Sequence, residues 1–299
     1  MATEGEHFML KRLRSRLLNP ILIAMREEKY EAPNAAAQIQ LLHAYQRMRD
    51  GYPLLRDVGF KVYSQADEDG ILLYILGMVG TGSKRCVEIC AGDGLECNTA
   101  NLIINHGWGG FLVDGDARLV ERGRDYYRRS RQTYVYPPTF EHAWIARETV
   151  NDLLARHGFD RDIQVLSIDL DGVDYWIWEA LKIEPPVVVV EYNTMLGPDL
   201  SVTVPYDPKF DAGKFLHIGT TPAFISASLA AYAKLGKRRG YRLVGANRYG
   251  YNAFFVKQGI AEGALPEVSP ADCFGHAKAR AEWGHLPQVR AANLPWVEV

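Results

Sequence analysis

From Cys86 onwards, apolar runs of strand length alternate with helix-length stretches, and few folds satisfy that rhythm. The pattern predicts strands at about 85–90, 110–114, 139–145, 164–169 and 187–192 and helices at about 96–106, 117–130, 147–157, 174–182 and 226–239. Repeated strand–helix–strand units require crossover helices, which cover both faces of a parallel sheet. The rhythm changes at the end. "YRLVGANRYGYNAFFVKQ" reads as two strands around a short Arg-Tyr-Gly turn, a hairpin signal. The expected architecture is α/β: a seven-stranded, mostly parallel sheet with helices on both faces and a C-terminal antiparallel hairpin.

Before the sheet, residues 7–50 read as helices. Phe8, Leu10, Leu13, Leu17, Leu18 and Ile21 recur at helical spacing, with Pro20 bending or breaking the pattern. The expected organisation is an N-terminal helical extension over residues 1–60, a sheet domain over 61–258 and a tail over 259–299, docked through Trp296 and Val297. Lys11, Arg12, Arg14 and Arg16 make the first helix basic, which suits docking on the domain or a homodimer contact. "SQADEDGILLYILGMVG" opens another helix, with Ser64 and Asp67 spaced as a capping box.

Bulk properties narrow the function classes. The formal net charge of −2 gives no global bias towards nucleic acid or anionic membrane. The longest apolar runs, such as "PPVVVVEY", are strand-sized, so no membrane span is expected. The opening "MATEGEH" has no apolar signal core, and four cysteines make no disulfide framework, so a cytoplasmic location is expected.

The first expected strand ends in "EICAGDG", with spacing acid-x-x-x-Gly-x-Gly. A dinucleotide site would place a third glycine three residues after Gly94, where Cys97 stands, and Glu96 would repel a pyrophosphate at that turn. S-adenosylmethionine carries no phosphate, so acids near the turn are compatible with it. The second strand ends in Asp114, with Asp116 close behind. Acids at that place can accept from ribose hydroxyls.

With these residues in view, Glu88, Gly92, Gly94 and Asp114 resemble the first two motifs of class I S-adenosylmethionine-dependent methyltransferases, a Rossmann-like fold. "YSQADEDGIL", "LSIDLDGVDYWIWEAL" and "YRLVGANRYGYNAFFV" look like the FkbM-type branch, which includes O-methyltransferases of sugars and secondary metabolites. The resemblance covers residues 60–257; Cys90 departs from it, standing where many such enzymes have their first glycine. It implies that Gly92 and Gly94 let the methionyl part pass close to the backbone, with Glu88 holding its ammonium and Gln65 reaching its carboxylate. Glu96 belongs to the same turn, Asp114 and Asp116 would take the ribose, and Ala143 and Trp144 would flank the adenine.

A second set of acids stands in "SIDLDGVDYW". Asp169 and Asp171 end the fourth strand, and Asp174 reads as a helix-capping acid. Two carboxylates two residues apart repel unless a cation, a shared proton or hydrogen bonds relieve them. Glu191 and Asn193 end the neighbouring fifth strand. Asp169, Glu191 and Asn193 therefore form a candidate Mg²⁺ site, with Asp171, assisted by Asp169, as general base. The metal-free alternative leaves Asp171 as the base alone. Tyr206, Phe210, Phe215 and His217, on the long stretch between the fifth strand and the next helix, are candidate acceptor contacts, with Tyr206, Phe215 and His217 preferred. Cys273, His276 and His285 lack the second cysteine pair a structural zinc would want. The expectation is O-methylation of a small polar acceptor such as a sugar or a glycosylated metabolite. N-methylation, or a binding module that keeps the fold without turnover, are the alternatives.

Overall fold

The computed structural model describes residues 33–299. The basic helix read around residues 7–21 lies outside the described residues. Helix α1 (Pro33–Arg47) is followed by α2 (Glu68–Val79), and the alternation then runs β1 (Arg85–Ile89), α3 (Ala100–His106), β2 (Gly109–Asp114), α4 (Ala117–Arg129), β3 (Thr139–His142), α5 (Val150–Arg156), β4 (Val165–Ile168), α6 (Asp174–Ala180) and β5 (Val187–Glu191). Helix α7 (Leu229–Arg238) leads into β6 (Tyr241–Ala246) and β7 (Asn252–Lys257).

The sheet order is β3-β2-β1-β4-β5-β7-β6. Strands β1 to β5 pair in parallel, whereas β7 runs antiparallel to both β5 and β6. This is a Rossmann-like, mostly parallel seven-stranded sheet closed by an antiparallel hairpin. The chain leaves β1 towards β2 on one side and returns to β4 on the other. A crevice therefore opens beyond the carboxyl ends of β1 and β4, where open α/β sheets bind ligands.

Strand alternation builds the two faces. Val87, Ile89, Phe111, Val113, Ile168 and Val190 point one way, into a core shared with Leu153, Ile177, Trp178 and Tyr232 of α5, α6 and α7. On the other face Phe140 packs against Tyr127 of α4, ring centroids 5.6 Å apart. Residues Leu42–Val299 make one compact unit that includes the tail. The tail docks through Trp296, whose ring meets Phe224 edge-on at 4.5 Å, and through Val297, which pairs with Thr203.

The start of α2 differs from the capping-box reading. Asp67 stands at its N-cap without a side-chain cap bond, and pairs with Arg248 at 2.8 Å. The loop before the helix is instead wrapped around Asp69, whose Oδ2 accepts from the amides of Val62, Tyr63 and Ser64. Burial lifts the Asp69 carboxyl to about 6, against the pull of these donors. Residues 194–225 hold more structure than a loop: a hairpin pairs His217 with Pro222, and Val202 pairs with Glu298. Among the described residues no helix is long and apolar enough to cross a membrane.

Candidate active site

The turn after β1 is bent by three residues in the left-handed region: Cys90 (φ 67°), Gly92 (φ 58°) and Gly94 (φ 71°). The two glycines do different work. A Cβ on Gly92 would meet nothing within 4 Å, so that backbone stays open to a ligand. A Cβ on Gly94 would strike Phe140, Leu112 and Tyr127, so Gly94 serves the packing of α4 on the sheet.

Both motif acids brace this turn. Glu88 is 2% exposed, and its carboxylate accepts from the amides of Asn98 (3.3 Å) and Thr99 (2.7 Å) ahead of α3. Burial raises its pKa, and the donors around it pull the other way. Asp114 accepts from Gly92 N at 2.8 Å through one oxygen and from Asp116 N at 2.7 Å through the other. Asp116 caps α4 through Arg118 N and pairs with the Arg118 guanidinium at 2.8 Å, which holds its carboxyl down at about 2. Gln65 and Glu96 are exposed beyond the turn, linked by Lys61, which donates to Gln65 O at 2.9 Å and lies 3.5 Å from Glu96.

A cavity of about 510 Å³ opens at the ends of β1, β2 and β3, within the range of small-molecule sites. Asp114, Asp116, Ala143 and Trp144 line it, as do Leu170, Val173 and Cys90. No lysine or arginine among the described residues does so. Trp144 is 65% exposed, and its indole N–H donates to Pro208 O at 2.5 Å. Gly115 beneath the ring leaves it room: a Cβ there would come within 3.1 Å of the indole.

The second acid group assembles beside this cavity. Carboxylate oxygens of Asp169, Asp171 and Glu191 lie within 4.8 Å of one another. The parallel pairing of β4 with β5 brings them together. Burial, with the charges of Asp171 and Asp174, raises Asp169 to about 8. Burial, with the charge of Asp169, pushes Glu191 well above its ordinary value, and a hydrogen bond joins the two carboxyls. Glu191 Oε2 is buried without a hydrogen-bond partner. Asp171 is exposed, with φ 53°. Asp174, fully buried, holds the loop by accepting from Leu170 N (2.6 Å) and Gly172 N (2.9 Å).

Asn193 does not join this group. Its oxygen caps the turn Thr194–Leu196 through Met195 N, and its amide donates to Ala223 O and Ile225 O. Asp171 stands in its place. The acceptor contacts also shift. Tyr206 donates to Glu148 and lies under the Arg147 guanidinium, 4.1 Å from the ring centroid. Phe215 stacks on Phe210 at 5.5 Å, and His217 is exposed on its hairpin, bonded to Phe215 O. Of the four acceptor candidates Phe210 lines the cavity, beside Asp207 and Pro208, and Tyr206, Phe215 and His217 do not. Asp207 and Pro208 were not expected there, because their Asp-Pro pair carries only a turn signal.

A buried polar network lay beyond sequence reasoning. Glu68 accepts from Asn247 Nδ2 (2.6 Å) and Asn252 Nδ2 (3.3 Å), Asn252 Oδ1 accepts from Asn98 Nδ2 (3.4 Å), and Asn98 also donates to Ser167 Oγ (3.0 Å).

No family model matches the chain, and no curated protein does. Solved structures with a similar chain path include magnesium protoporphyrin IX methyltransferase from Synechocystis PCC 6803 with bound S-adenosylmethionine, at 9% identity and TM-score 0.39, covering 64% of this chain and 78% of that one. The glycopeptide N-methyltransferase MtfA complexed with sinefungin is 14% identical over 74% of this chain and 97% of its own, with TM-score 0.39. The CcbJ methyltransferase from Streptomyces caelestis is 12% identical over 68% and 96%, also with TM-score 0.39.

Proposed function

We propose that this chain is an S-adenosylmethionine-dependent methyltransferase of the FkbM-type branch, acting on a hydroxyl of a small polar acceptor. The observation that carries this reading is the position of Asp114. It ends β2 on the wall of a cavity of about 510 Å³, and Leu170 and Gly172 of the same wall are chain neighbours of Asp169 and Asp171 in the carboxylate group. Asp114 keeps lone pairs for ribose hydroxyls beyond the two amides it already holds. Trp144 and Val173 offer apolar walls for a base.

S-adenosylmethionine supplies an electrophilic methyl on a sulfonium, so the chain's task is to align the acceptor oxygen and remove its proton. Held by Asp114 and the Gly92 turn, the cosubstrate would give up that methyl to the acceptor oxygen, the S–CH₃ electron pair returning to sulfur. Asp171 takes the hydroxyl proton, and its exposure lets it pass the proton to water. Asp169 and Glu191 share a proton or hold a cation. Their hard oxygens, mutual repulsion and the unpartnered Glu191 oxygen fit Mg²⁺. A bound divalent cation would supply Lewis acidity to the acceptor hydroxyl. The absence of lysine and arginine from the cavity wall also favours a second reading, transfer to an amine, for which no cation is needed.

The test is a titration with S-adenosylhomocysteine. Asp114→Ala is expected to weaken binding by roughly 10- to 150-fold, the equivalent of 1.5–3 kcal/mol for charge-assisted hydrogen bonds. Unchanged affinity removes Asp114 from the site, and tight NAD binding without S-adenosylhomocysteine binding overturns the assignment. With an acceptor in hand, loss of turnover in EDTA and its return with Mg²⁺ separates the hydroxyl reading from the amine reading.

A further inference from the structure

Helix α4 and the turn after it carry a one-sided surface. Residues 116–136 hold six arginines against three acids, in a chain with a formal net charge of −2. Arg118, Arg122 and Arg124 on the early turns are paired with Asp116, Asp93 and Glu121. Three more arginines, Arg128, Arg129 and Arg131, stand exposed at the end of the helix, and Arg129 reaches Asp125 at 3.3 Å.

Directly beyond them stand Tyr134, Val135 and Tyr136, exposed by 61%, 76% and 76%. Exposed apolar residues scattered singly are ordinary, but three in a row on one turn are not. The turn is nevertheless well built. Tyr134 N donates to Ser130 O at 2.8 Å, Tyr136 N to Thr133 O at 3.0 Å, and Thr133 Oγ1 to Tyr127 O at 2.7 Å. Its tip can leave water without stranding these backbone donors.

We propose that this tip docks on an anionic membrane surface. Tyr134, Val135 and Tyr136 enter the headgroup region, and Arg128, Arg129 and Arg131 face lipid phosphates. Tyrosine suits such a boundary because its ring is apolar and its hydroxyl stays wet. Arginines beside it gain from the negative surface potential. A second copy is a poor occupant, since a two-fold contact would set the same arginines against one another. Nucleic acid would use the arginines but give Val135 nothing. The tip precedes β3 and the cavity wall at Ala143 and Trp144 follows it, so the two lie at opposite ends of one strand. Docking leaves the cavity open to solvent.

The test is co-sedimentation with vesicles of phosphatidylcholine alone and of phosphatidylcholine mixed with phosphatidylglycerol. The chain should bind the anionic vesicles and be released by salt. R128E/R129E should lower partitioning by at least about tenfold, from roughly 1 kcal/mol per basic residue at such a surface. Y134S/V135S/Y136S should lose binding at a salt concentration where the unaltered chain still binds. Both variants should keep their melting temperature. No binding by the unaltered chain, or equal binding by either variant, overturns the proposal. So does a preference for oligonucleotide that ignores the Tyr and Val changes, or a dimer in sedimentation equilibrium that the triple variant abolishes.

Discussion

Asp169→Asn removes one charge from three carboxylates gathered within 4.8 Å. Burial and the neighbouring acids lift the Asp169 carboxyl from 3.8 to about 8. A carboxyl raised in this way binds more protons in the folded chain than in the unfolded one. Its contribution to stability is therefore lost as pH climbs from the unfolded value to the folded one, and is level above. Each unit corresponds to roughly 1.4 kcal/mol, so the ceiling near pH 7.5 is on the order of 5 kcal/mol. Asp171 is exposed and lets water share the field, which reduces the gain expected from the substitution to about 2 kcal/mol. Asparagine keeps the shape and can still accept the Glu191 proton. The melting temperature of Asp169→Asn should exceed that of the unaltered chain by about 4–8 °C near pH 8 and match it near pH 4. Mg²⁺ should raise the melting temperature of the unaltered chain near pH 8 and leave the variant nearly unmoved. Differential scanning calorimetry across pH measures both. An equal shift at both ends of the range, or destabilisation throughout, would refute the reasoning.

Further outcomes follow from two residues of the cavity wall, Cys90 and Trp144. Cys90 is an exposed non-glycine residue at φ 67°, and desolvation of its thiol by the protein around it, with Asp114, Asp169 and Asp174 nearby, pushes the thiol up. Iodoacetamide should react with it slowly at neutral pH, and S-adenosylhomocysteine should protect it. Cys90→Gly should raise the urea midpoint by the equivalent of about 1 kcal/mol through backbone relief, and an unchanged midpoint would show the turn unstrained. Trp144→Phe keeps a ring but deletes the bond to Pro208 O. Hydrogen exchange over residues 205–216 should quicken by roughly 2- to 12-fold, the worth of one net hydrogen bond, and unchanged exchange would show the segment held by its ring contacts alone.

The sheet was legible because its strands are local facts. Val187, Val188, Val189 and Val190 are fully buried, as a central parallel strand requires, and the run is unmistakable in sequence. Asp114 was legible for a related reason: an acid directly after Phe111, Leu112 and Val113 falls at a strand end. The start of α2 was not. Asp67, Glu68 and Asp69 are consecutive acids, and their roles are divided by partners such as Arg248 and Asn247, some 180 residues away. Asn193 reads as a hard ligand two residues after Glu191. Its amide is drawn away by carbonyls at Ala223 and Ile225, on a segment whose path depends on the C-terminal tail. Tyr206, Phe215 and His217 failed to reach the cavity for the same cause. Side chains on long connections are aimed by distant pairings, and spacing carries no record of those.

The three stretches that carried the FkbM-type resemblance meet physically through Glu68, Asn252, Asn98 and Ser167. That convergence has an energetic reason. A buried polar network that is only partly satisfied costs more than an apolar core, so each member constrains the others. The network reaches the glycine turn from below, because Asn98 and Thr99 donate their amides to Glu88, while Asp114 grips Gly92 from above. The turn is thus fixed before any ligand arrives, and little ordering cost remains for binding there. The opposite wall is built differently. Pro208 is held by the Trp144 bond, and Phe210 by ring contacts with Phe215 and Phe224 and by the bare backbone of Gly172, where a Cβ would come within 2.7 Å of the ring. Ring contacts and one hydrogen bond can be exchanged for ligand contacts at small cost; a buried carboxylate network cannot. Under the methyltransferase reading, the rigid half serves the invariant cosubstrate and the exchangeable half adapts to the acceptor.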